Sequence, residues 1–514
     1  MKQLKKVISI ILCAAMLFSL CGAFVASAAY WQGPLPQIYV SGIGSRKVYY
    51  ADDPDKNSLF YPIDMDKLMG NIKNMPGYAS DSVKNLDPNI VYNCLYNWAY
   101  DTFGASALLS DGFSSKPGVV IDACPLDYNS RENRYIFNYD SRLDPVDLAR
   151  QLDEYIGWVQ EDSGSMRVEL VGSSYGSSII MAYLNEYKEK SEKYVDSAVL
   201  CVPSTGGVDL VGELFTGNAT INPDTLEQFV NVSLGNEDLD LLLSVLNKSG
   251  ALKFIIMSML DPLIRVAVMD ALTAIVHDVV GTMPAMWSFV QDEYFYKALK
   301  HVYGEDYNSD DHEYAVLIDK ITYYHENVMN RSTEILQSAQ AAGIHVNVIC
   351  KYGRPAVPLS EHGNFRSDGA VGVSVASFGA VASMRDEYLP ADYQQVKYPE
   401  QNFISPDRCI DASTCALPYN TWFIKGLEHS EKPEAYHEMI NCIIAGNLDI
   451  NSDARYPQFM QTSPETNDIL IAQLPEEPAN KPTLVQELIR MLKRVIELLV
   501  EKIKEFFVAD KVTA

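Results

Sequence analysis

Positive charge is scarce in this chain. Its 514 residues hold 41 Lys and Arg against 67 Asp and Glu, a formal net charge of −26. Nucleic acid is excluded as a partner, because a phosphate backbone needs a basic footprint. Charge of this size suits a soluble, exported protein. Metal and nucleotide signatures are also lacking: the chain has no C-x-x-C pair, no H-E-x-x-H and no P-loop. No metal and no cofactor are therefore expected. Nine cysteines over this length are too sparse for a disulfide framework. Cys409 and Cys415 are close enough in sequence to bridge a short loop or to remain separate thiols.

Lys2, Lys5 and Lys6 precede a nearly continuous apolar run from Val7 to Leu20, and Ala26-Ser27-Ala28 follows. This pattern predicts a secretory signal peptide over 1–28 rather than a membrane anchor. It implies a secreted or cell-envelope protein of bacterial type. The two leucines at 12 and 20, before Cys13 and Cys21, argue against lipidation.

Short β-branched runs recur at Gln37–Val40, Val119–Asp122, Tyr135–Asn138, Val168–Val171, Ala198–Cys201 and His345–Ile349. Runs like these suit strands buried on both faces. Helical periodicity lies between several of them, at Val146–Trp158 and Ser178–Tyr187. The alternation predicts an α/β fold with a mostly parallel central sheet. The predicted core comes in two parts, 29–204 and 341–470. Between them, 205–340 is helical in pattern and holds the aromatic stretches Met286–Phe289 and Tyr294–Tyr296. An insertion of this size reads as a helical cap beside the ligand, and its aromatics suit either an acyl pocket or plain core. Residues 471–482 read as a linker. Residues 483–508 read as a C-terminal amphipathic helix, suited to self-association, docking on the body or a membrane surface.

Gly172-Ser173-Ser174-Tyr175-Gly176 follows one strand run and opens a helical one. A strained strand-to-helix turn exposing a nucleophilic serine needs small residues two before and two after it. An ordinary Gly/Ser turn has the same composition. If Ser174 is the nucleophile, the Tyr175 N–H at the helix start faces a developing oxyanion. Ser41–Ser45, after the first strand run, carries glycines on both sides of Ile43, so the Ile43 N–H is the second oxyanion donor, or the segment is a simple turn. In α/β-hydrolases the acid and then the histidine follow the serine along the chain. That order favours His429, past the apolar run Thr421–Ile424, over His437 in a more helical context. Asp368 in Ser367-Asp368-Gly369 is the best acid candidate, and an Asp-Gly turn is its plainer reading.

Four segments carry a resemblance: Ser41–Ser45, Tyr139-Asp140-Ser141-Arg142-Leu143, Pro203-Ser204-Thr205-Gly206-Gly207 and Ser367–Val371. Together they resemble the lecithin:cholesterol acyltransferase-like and bacterial lipase branch of the α/β-hydrolase superfamily, over roughly residues 36–440. Ser141 stands where that pattern has Trp, and Ser173 where it commonly has His, so the pocket walls differ. The resemblance implies a serine esterase or lipase with Ser174, Asp368 and His429 as its triad and the Ile43 and Tyr175 amides as its oxyanion hole. An ester or lipid is then the substrate. An acyltransferase or amidase with the same triad, and an inactive envelope-associated binding protein, are the alternatives.

Overall fold

A computed structural model describes residues 35–44, 46–59, 77, 80–81, 84–85, 89–122, 133–234, 237–260, 269–361, 366–384, 387–463, 468–471, 483–486 and 488–494. The expected signal peptide, nearly all of the expected linker and the distal part of the C-terminal helix lie outside the described residues.

Eight strands form the central sheet among the described residues: β1 (Gln37–Val40), β2 (Arg134–Phe137), β3 (Val168–Ser173), β4 (Val195–Cys201), β5 (His345–Tyr352), β6 (Thr421–Lys425), β7 (Phe459–Thr462) and β8 (Ile469–Ile471). Their order is β2-β1-β3-β4-β5-β6-β7-β8. Every neighbouring pair is parallel except β7 with β8. β3 is buried at all six positions, as a strand covered on both faces must be. Val119–Ile121 does not join this sheet. It pairs antiparallel with Val48–Tyr50 in a separate ribbon, where Val120 is exposed. A β-branched run specifies a strand but not its partner.

Helix α1 (Pro145–Ser163) starts where the Asp144 carboxylate accepts the Val146 N–H at 2.7 Å, with proline at the first helical position. It stops at Gly164, whose φ is 70°. Helix α2 (Tyr175–Glu186) packs against α1 and is buried from Tyr175 to Leu184. Helix α3 (Ser332–Ala341) leads into β5, and helix α4 (Glu434–Gly446) packs on β4.

The described residues between β4 and β5 are mostly helical, with π-turns at Ile256–Leu260 and His325–Met329. Met286, Trp287, Phe289 and Phe295 join the main core, with the Trp287 indole N–H on the Gly281 carbonyl at 2.7 Å. A second, smaller core joins Trp98 and Leu95 to Leu272 and Ile275. No single described helix is long and apolar enough to cross a membrane, although the bent pair Leu241–Lys248 and Ala251–Ser258 together reach that length and composition. In the described part of the C-terminal helix, Val485, Leu488, Ile489 and Leu492 are exposed.

Candidate active site

Ser174 stands between β3 and α2 with φ 53° and ψ −120°. That conformation is costly for any residue with a side chain. Its surroundings impose it. The Ser174 N–H donates to the Cys201 carbonyl at 2.9 Å, and the Ser174 carbonyl accepts the Ser177 N–H at 2.9 Å. A methyl on Gly172 would stand 2.8 Å from both Ser177 Cα and Ile180 Cδ1. A methyl on Gly176 would strike the Val40 carbonyl and lie 2.5 Å from that of Ser41. Both glycines are therefore demanded by close approach of backbone, which an ordinary surface turn does not require.

β6 ends at Lys425, and Gly426, with φ 99°, turns the chain toward His429. His429 Nε2 lies 2.8 Å from Ser174 Oγ, and His429 Nδ1 lies 2.7 Å from Asp368 Oδ2. The carboxylate only accepts, so Nδ1 carries the proton and Nε2 is left to accept from the serine hydroxyl. The His429 backbone N–H also donates to the Asp368 carbonyl at 2.9 Å. Asp368 follows β5 at an Asp-Gly turn, with Gly369 at φ 99°. The turn itself steadies the carboxylate: Oδ1 accepts the N–H groups of Ala370 at 3.0 Å and Val371 at 2.8 Å. Burial acts to raise this carboxyl, but the adjoining His429 imidazole and the two amides outweigh it and hold it below the usual carboxylate range. His429, not His437, meets Ser174. His437 sits in α4, where burial and then the cations of Lys432, Arg134 and Lys351 hold its imidazole down to about 4.

Tyr175 opens α2, so its N–H is one of those without an acceptor in its own helix. Val40 lies opposite Gly172, which sets the Ser41–Gly44 loop beside the serine turn. The Tyr139 hydroxyl donates to the carbonyls of Ser41 at 2.5 Å and Gly42 at 3.0 Å. In a trans peptide C=O and N–H point opposite ways, so the Ile43 N–H is turned away from Tyr139. Gly44, at φ 95°, donates its N–H to Ser141 Oγ at 2.9 Å. Arg142 is wholly buried and anchors this segment. It binds both Asp140 oxygens, the Ser106 carbonyl at 2.9 Å and Ser115 Oγ at 2.8 Å.

No protein-family model and no curated protein matches this chain. One solved structure similar to it is titled "The crystal structure of Tle4-Tli4 complex", with 12% identity over 81% of this chain and 97% of that chain, at a TM-score of 0.30. A likeness at that score carries no argument, and the site rests on its own geometry.

Among the described residues no group of three or more His, Cys, Asp or Glu side chains is arranged to hold a metal ion. Cys409 and Cys415 are separate buried thiols, each pushed up to about 12, by burial first. Sequence reasoning missed three residues around the site. Lys351 Nζ donates to the His429 carbonyl at 3.1 Å, and Lys432, three residues past His429, donates from Nζ to the Tyr39 hydroxyl. The available signal was a lysine inside the apolar run of β5, since lysine is rarely buried without a specific partner.

Proposed function

We propose that this chain is a serine hydrolase of the α/β-hydrolase type that cleaves carboxylic esters, acyl or acyl-lipid, through Ser174, His429 and Asp368. One observation carries the reading: the unbroken hydrogen-bonded line from Ser174 Oγ through the His429 imidazole to a buried Asp368. The strand order supports the fold assignment. The chain leaves β1 for β2 on one side and returns to β3 on the other, and ligands of open α/β sheets bind outside the carboxyl ends of strands at such a switch. Ser174 and the Ser41–Gly44 loop stand at those ends.

In this mechanism Ser174 Oγ attacks the ester carbonyl as His429 Nε2 takes its proton. Asp368 keeps the imidazole in the required tautomer and stabilises the imidazolium. The Ile43 and Tyr175 amides receive the oxyanion, a contribution of about 3 kcal/mol per donor. As the tetrahedral adduct collapses, Nε2–H protonates the departing alcohol. Water, deprotonated by the same nitrogen, then releases the acid and restores Ser174. The helices of 205–340 serve as the cap over the acyl group, and residues 1–28 direct export.

The test is fluorophosphonate labelling of the mature protein beside Ser174→Ala. Stoichiometric labelling of the wild type that vanishes in the variant is the expected result. Equal labelling of both would assign the reactive hydroxyl elsewhere, and a folded wild type that takes no label would leave the inactive binding protein as the better reading.

A further inference from the structure

Lys351 is the penultimate residue of β5 and is wholly buried. Its Nζ donates to three backbone carbonyls: Glu428 at 3.2 Å, His429 at 3.1 Å and Glu431. All three belong to the turn that carries the His429 imidazole. The same nitrogen stands 4.7 Å from the centre of the Tyr436 ring on α4. Only an ammonium has three N–H bonds for three carbonyls. A neutral amine has two, and its lone pair would face the third oxygen. The side chain therefore ties the histidine turn to the rigid centre of the sheet, next to the strand end from which Asp368 departs.

We infer that Lys351 is a positioning residue: its buried ammonium fixes the Glu428–Glu431 turn so that His429 Nε2 stays in reach of Ser174 Oγ. The inference rests on the triad reading above. It predicts that the site loosens when the ammonium loses a proton. The titratable groups around this nitrogen come from each packed element: Lys432 and Glu431 on the turn, Asp368 after β5, Cys201 on β4, and Tyr436 and His437 on α4. Arg354 lies 3.5 Å from Glu431. Burial pushes the Lys351 ammonium down to about 7 and the Lys432 charge adds to this, while Asp368, Cys201 and Glu431 oppose it. Three accepting carbonyls also oppose it. The folded ammonium is thus lost at lower pH than a free lysine's, on the neutral-to-alkaline side.

The experiment measures fluorophosphonate labelling rate against pH for wild type, Lys351→Met and Lys432→Met. In parallel it follows the far-downfield proton resonance of the His429–Asp368 hydrogen bond, assigned by its loss in His429→Ala. Lys351→Met keeps the apolar stem and removes the three donors. Its labelling is expected to fall by about 10- to 100-fold near neutral pH, without the alkaline decline of the wild type and with the downfield resonance lost or displaced. Lys432→Met removes a neighbouring positive charge and moves the wild-type alkaline decline up by roughly one pH unit. Labelling, pH profile and resonance all unchanged in Lys351→Met would overturn the inference. If that variant does not fold, the Lys432→Met profile decides: an unmoved alkaline limb overturns the inference and a raised one supports it. A wild type that never labels, with a resonance that Lys351→Met still abolishes, would sink the hydrolase reading and leave Lys351 in its positioning role.

Discussion

Two histidine–aspartate pairs in this molecule are nearly the same length and opposite in construction. His429 meets Asp368 at 2.7 Å, and His325 meets Asp292 at 2.9 Å. In the first pair the carboxylate is fully buried and backed by two amides, while the imidazole keeps 17% of its side chain open. In the second the imidazole is buried and the carboxylate side chain is 69% exposed. The His325 ring stacks on Phe295 at 3.8 Å, burial holds its imidazole below its ordinary value, and its Nδ1 is buried without a hydrogen bond. Asn330 shares the Asp292 oxygen, so the pair closes a π-turn and a helix start. The His325–Asp292 hydrogen bond is thus structural. The proposed triad pair has the reverse burial, and its second nitrogen faces the Ser174 hydroxyl.

The sharpest way to break this comparison is to remove one charge from each pair. Asp368→Asn favours the wrong imidazole tautomer and should lower the labelling rate by about 10⁴-fold. Asp292→Asn should change it by less than about threefold, because an exposed partner contributes little. Equal losses in the two variants would erase the distinction. A smaller effect is expected of Gly176→Ala. The new methyl meets the carbonyls of Val40 and Ser41, so β1 and α2 must separate. The expected cost is about 1–3 kcal/mol in urea denaturation, with labelling reduced about 100-fold. An unchanged midpoint would show that the elbow is looser than its contacts imply. The smallest effect belongs to Ser141→Ala, which leaves the Gly44 N–H without its acceptor. Labelling should fall about tenfold, with a stability loss of about 1 kcal/mol. No change in rate would remove Ser141 from the support of the Ile43 loop.

Much of the architecture was legible because it is written in local demands. The β-branched runs at β1 to β5 announce strands, and β3 is covered on both faces as such a run implies. The glycines at 172 and 176 mark a turn at which no side chain fits. β6 passed for a short apolar run, and β7 and β8 went unread: Phe459-Met460-Gln461-Thr462 lacks the β-branched run that marks β1 to β5, and β8 has only three residues. Val119–Ile121 had the composition of a core strand and lies in the outlying ribbon. The aromatics Trp287, Phe289 and Phe295 suited a pocket or a core equally, and burial assigns them to the core. The partners of Lys351 are backbone carbonyls, which leave no mark on residue type, so its place in the apolar run of β5 was the one sign of its burial.

By itself the sequence determined the strong acidic balance, the alternation that makes a parallel α/β sheet, and the turn that presents Ser174. Each depends on residues within a few positions of one another, where sterics and hydrogen bonding dictate side-chain type. Only the tertiary structure brings His429, which chain order merely favoured over His437, to Ser174, sets the Asp-Gly turn at 368 against that imidazole, and places the buried Lys351 side chain on the turn that carries it. Those meetings span separations of 255 and 61 residues. They follow from the order in which β3, β5 and β6 line up in the sheet, and that order is set by the packing of the whole core.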